Sequence, residues 1–79
     1  MKKLITFLRE TYPPKSFTYY NNPASIKIQL PTLDEKQIID YLDNNNIIYN
    51  IERPEFIQVN LYFVPNCTVI RIKKRINNL

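Results

Sequence analysis

The sequence predicts a single small α+β domain spanning residues 1–79, in the order α-β-β-α-β-β-β, with both helices packed on one face of a mixed or antiparallel sheet. Three observations carry this reading. Ser25-Ile26-Lys27-Ile28-Gln29-Leu30 alternates apolar and polar residues, the period of a half-buried strand. Thr32-Leu33-Asp34-Glu35 has the form of a capping box and opens a stretch with apolar residues at helical spacing. Strand-like apolar runs then return three times, divided by Arg53-Pro54 and Pro65-Asn66.

In chain order, residues 3–11 are expected to be helical, with Leu4, Ile5 and Leu8 on one side and Phe7 widening the stripe. Pro13 ends that element, because its ring drives Tyr12 out of helical geometry. Residues 16–20 read as a strand, joined through a turn at Asn21-Asn22-Pro23 to the strand at 25–30. The central helix is expected from Leu33 to about Asn44, with Thr32 as its N-cap and Ile38, Ile39, Tyr41 and Leu42 as its buried stripe. Asn44-Asn45-Asn46 ends it, since Asn tolerates the left-handed cap conformation. Strands are expected at 47–52, 56–64 and 68–76, with a frayed end at Asn77-Asn78-Leu79. Residues 24–52 form a strand–helix–strand unit compatible with a right-handed parallel crossover. The expected core includes Ile28, Leu42, Val59, Leu61 and Ile72.

Composition narrows the chemistry. There is no His and no Gly, which removes the usual general base and every Gly-rich phosphate loop. Cys67 is the only cysteine, so it can form no disulfide within the chain and no zinc cluster, and no base stands ready to activate its thiol. Asp34, Glu35, Asp40 and Asp43 read as a solvated, N-terminally acidic helix rather than as metal ligands or an acid–base pair. No catalytic residue, metal or cofactor is therefore expected. The start, Met1 to Leu8, resembles a signal peptide but is stopped by Arg9 and Glu10, and no stretch is apolar enough to span a membrane. A cytoplasmic location, or a host cytoplasm, is expected.

Ile, Asn, Lys and Tyr supply 35 of the 79 residues. Their codons are rich in A and T, which suggests a phage, a mobile element or another AT-rich genome.

Charge is segregated: net +4 over residues 1–31, −4 over 32–55 and +4 over 56–79. In the last strand Arg71, Lys73 and Arg75 alternate with Ile70 and Ile72, and so should share a face. Lys27 and Gln29 occupy the polar face of their strand, and Gln58, Asn60 and Tyr62 that of theirs. Were these faces to coincide, they would form a basic platform with an aromatic, suited to nucleic acid or to an acidic protein surface. The bland reading is a solvated basic face that keeps the protein soluble and blunts an edge strand. Tyr19, Tyr20 and Tyr62 are the tyrosines expected to be exposed.

The resulting expectation is a non-enzymatic interaction protein that binds and inhibits a host protein complex engaged in defence or nucleic-acid handling. The alternative is a nucleic-acid-binding module that uses the basic sheet face directly.

Overall fold

The protein is represented by a computed structural model, which describes residues 2–74. The expected positions of Arg75, Ile76 and the frayed end lie outside the described residues. The elements are α1 (Lys2–Thr11), β1 (Thr18–Asn21), β2 (Ser25–Pro31), a 3₁₀ turn (Thr32–Asp34), α2 (Glu35–Asn44), β3 (Asn50–Glu52), β4 (Phe56–Val59), β5 (Tyr62–Pro65) and β6 (Cys67–Lys73).

Four strands form one sheet in the order β1-β2-β6-β3, and every pairing in it is antiparallel. β2 and β3 both run opposite to β6 and hence parallel to each other, but β6 lies between them. The unit at 24–52 is therefore a crossover around an inserted strand, not a directly paired parallel unit. Register places Tyr19, Ile28, Ile70 and Ile51 in one row across the sheet, with Ile26 and Ile72 in a second row on the same face. Leu4 and Leu8 of α1, Tyr12 just beyond it, and Ile38 and Leu42 of α2 close over those rows in one cluster. Both helices thus cover the same face. Ile26, Ile28, Ile38, Leu42, Ile70 and Ile72 are fully buried, and each contributes about 1.5–3 kcal/mol by leaving water. Tyr19 is half-buried against this core rather than freely exposed.

The C-terminus of α2 closes as the three asparagines suggest. Asn46 takes a positive φ of 56°, its amide donates to the Asp43 carbonyl (3.2 Å), and the Ile47 amide donates to the Leu42 carbonyl (2.9 Å). This is a Schellman closure, and Ile47 joins the core beside Leu42. With Ile47 held there, the next strand is shortened to Asn50–Glu52.

The N-terminus of α2 departs from the capping-box expectation. The helix begins at Glu35, Asp34 is its N-cap, and no side-chain cap bond is made. A capping box needs a free Thr32 amide, but the β2–β6 ladder extends past its last pair and the Thr32 amide donates to the Asn66 carbonyl (2.8 Å). Another residue serves the helix start. The Tyr12 hydroxyl donates to the Asp34 carbonyl (2.6 Å) and accepts the Ile38 amide (3.1 Å), standing between the two groups of the first helical hydrogen bond. Burial pushes the Tyr12 phenol up from its ordinary pKa, an effect partly offset by that amide.

The expected strand at 56–64 is two strands. β4 and β5 form a separate two-stranded sheet around a two-residue loop, Asn60-Leu61. Asn60 takes φ 56°, the positive angle that a tight two-residue hairpin loop needs at its first position. Two core assignments fall with the single strand: Leu61 sits at the loop tip, 90% exposed, and Val59 is only half-buried. Asn66, also at positive φ (58°), turns the chain into β6. In a chain without Gly, all three positive-φ positions among the described residues are Asn, the side chain best able to replace it there.

Candidate functional site

Among the described residues, α1 and α2 both lie on the first face of the four-stranded sheet and neither covers the second. Register places Tyr20, Lys27, Arg71 and Asn50 in one row there, flanked by the pair Ser25 and Lys73 on one side and by Thr18, Gln29, Val69 and Glu52 on the other. The sequence left open whether the polar sides of these strands coincide; register brings Lys27, Gln29, Arg71 and Lys73 to one face with Tyr20, and Arg75 lies outside the described residues. The Lys27 ammonium lies 4.9 Å from the centroid of the Tyr20 ring, a cation–π contact. Arg71 donates through Nη1 to Glu52 Oε1 at 2.5 Å, with both side chains about half exposed. At the end of β1, Lys74 Nζ bonds the Asn21 side chain.

Gln58, Asn60 and Tyr62 do not belong to this face. They lie on the β4–β5 hairpin and do not share one side of it: Gln58 is paired with Phe63, Tyr62 is paired with Val59, and Asn60 is in the loop. The turn at Asn60 reverses the chain, so a period-two count across it assigns the wrong faces.

The hairpin is amphipathic in an unusual sense. Its Ile57, Val59 and Val64 line a groove of about 280 Å³ together with Thr18, Gln29, Pro31 and Cys67 of the sheet and Phe17 before β1. This seats the hairpin beside one end of the second face, where Cys67 and Val69 are buried. Its other side presents Phe56 and Phe63, in edge-to-face contact at 5.1 Å and both more than half exposed. Leu61 is exposed at the tip, and Tyr62, though it shares the side of Val59, is exposed beside it. Sequence reasoning missed Phe56, Leu61 and Phe63. The available signal was a run from Phe56 to Asn66 without a single charged residue, in a chain that is 23% charged.

Elsewhere several charged and polar side chains are engaged in contacts within the fold. Glu35 receives Nε and Nη2 of Arg53 at 2.9–3.1 Å and the hydroxyl of the fully buried Thr68 at 2.7 Å. The Thr68 and Thr32 hydroxyls are 2.9 Å apart. A hydroxyl has one proton, so with Thr68 donating to the carboxylate, Thr32 donates to Thr68. The Arg53 contact holds the Glu35 carboxyl below its ordinary pKa, burial opposes this, and Thr68 reinforces it. Asp40 is paired with Lys36 one helical turn away (2.7 Å), and Asp43 accepts the Tyr49 hydroxyl (3.0 Å). Cys67 is buried, which pushes its thiol up and away from the reactive thiolate. Among the described residues no group of three or more His, Cys, Asp or Glu side chains comes together, and no helix is long and apolar enough to cross a membrane.

Compared with known protein families, with curated proteins and with solved structures, the chain shows no match.

Proposed function

We propose that this chain is a non-enzymatic binding protein that seats its β4–β5 hairpin in an apolar pocket of a protein partner and thereby blocks that partner. One observation carries the reading: Phe56 and Phe63 stand exposed in contact on one side of a charge-free hairpin whose tip carries the exposed Leu61 and Tyr62. Six of the chain's ten aromatic residues, Phe7, Tyr12, Phe17, Tyr19, Tyr41 and Tyr49, are at least half-buried. Contiguous exposed apolar surface is costly to keep in water and marks interaction sites, where aromatic anchors supply most of the binding energy. The asymmetry supports a partner that takes the hairpin as a wedge.

The engagement of Glu35, Asp40, Asp43 and Cys67 in structural contacts favours binding over catalysis. The AT-rich residue usage favours an accessory protein of a phage or mobile element, acting in the host cytoplasm on a defence or nucleic-acid-handling complex. Affinity capture with the parent and with a Phe56→Ser/Phe63→Ser variant tests this. The expected result is one protein recovered by the parent, absent with the folded variant, and inhibited in its own assay by the parent alone. Equal recovery by both proteins would remove the hairpin from the interface.

A further inference from the structure

Independently of the hairpin, we propose that the half of the second sheet face that no described helix or hairpin covers binds single-stranded nucleic acid. Lys27 and Arg71 are directly opposite on neighbouring strands, so their Cβ atoms are about 4.5–5.5 Å apart. Lys73 follows Arg71 on the same side of β6, two residues on, a step of about 6.6 Å. Three cations are thus held side by side by the most extensively paired strands of the fold, a placement set by backbone register.

An exposed ring completes the platform. Tyr20 is paired with Lys27 at the edge strand β1 and is 54% exposed; the Lys27 ammonium rests over its ring, so a stacking base takes the place of that ammonium, which then turns to the backbone with the other cations. Aromatic stacking beside a basic track is the arrangement that recognises unpaired strands, since bases inside a duplex offer no free face. The only carboxylate in these rows is Glu52, and it is held by Arg71. A half-exposed pair of this kind contributes little to stability, so a phosphate can replace Glu52 at small cost. Glu52 therefore acts as an internal competitor for the Arg71 site.

Fluorescence anisotropy of labelled oligo(dT) across a salt series tests the proposal, with a duplex of equal length and polyglutamate as competitors. The parent should bind the single strand more tightly than the duplex, and polyglutamate should displace it poorly. Lys27→Ser/Arg71→Ser/Lys73→Ser should flatten the log–log salt slope by about two, the value for three phosphates on a single strand. Tyr20→Leu should weaken binding about tenfold through lost stacking. Glu52→Gln should tighten it, a gain that a misfolded variant cannot imitate, and Phe56→Ser/Phe63→Ser should leave it unchanged. No binding at low salt, equal displacement by polyglutamate, preference for duplex, or an unchanged slope in the triple variant would each overturn the proposal.

Discussion

In the four-stranded sheet, Ile26, Ile28, Leu30, Ile70 and Ile72 are sealed from solvent, whereas in the hairpin Ile57, Val59 and Val64 are half-buried and Phe56, Leu61 and Phe63 are exposed. Both regions are built from alternating or near-continuous apolar runs. The difference lies in what covers them. Two helices close over one face of the sheet, while the hairpin has only the groove beside Cys67 and Pro31 on its inner side and nothing described on its outer side. Strand sequence alone thus sets which residues share a face; burial depends on a second layer.

The largest test of that contrast is Leu42→Ala in α2. It should destabilise the protein by about 2–5 kcal/mol in chemical denaturation, because the fully buried site has little room to collapse. A loss near that of a surface substitution would mean that the helix layer does not seal the sheet.

A smaller effect is expected where β6 meets the start of α2. Thr68→Val keeps the shape but removes the hydroxyl bond to Glu35, and should cost about 1–3 kcal/mol. An unchanged denaturation midpoint would show that Arg53 alone satisfies the carboxylate.

The same contact predicts a pH dependence. Because the folded pKa of Glu35 is depressed, its contribution is fully present above the ordinary carboxylate range and is lost as pH falls through the folded pKa. Denaturation midpoints for the parent and Glu35→Gln should differ at neutral pH and converge in acid. Persistence of the full difference well below pH of about 4 would contradict this assignment.

The smallest effect belongs to the hairpin tip. Leu61→Ser should change stability by less than about 0.5 kcal/mol, although the same residue read as core from its alternation. A cost comparable to Leu42→Ala would place a covering surface over the tip.

Much of the body was legible because its signals are local or strictly periodic. Ile26, Ile28 and Leu30 alternate along β2, and Ile38 and Leu42 stand one helical turn apart on α2. Their burial followed. The alignment of Lys27 with Arg71 and Lys73 was legible in part, since each strand's polar side was readable but its pairing partner was not. The hairpin was misread because the alternation of 56–64 continues through Asn60 without a break, while the reversal there depends on one backbone angle.

By itself the sequence determined the helix and strand stripes, the Asn-terminated end of α2 and the absence of His and Gly chemistry, because these follow from residue type and near-neighbour spacing. Only the tertiary structure decided three things. β6 inserts between β2 and β3; Thr32 and Glu35 are joined through the Thr68 hydroxyl, with Arg53 on Glu35, instead of capping the helix directly; and Phe56 and Phe63 face outward. In each case the deciding contact joins segments far apart in the chain or depends on which layer covers a strand, and no local pattern encodes either.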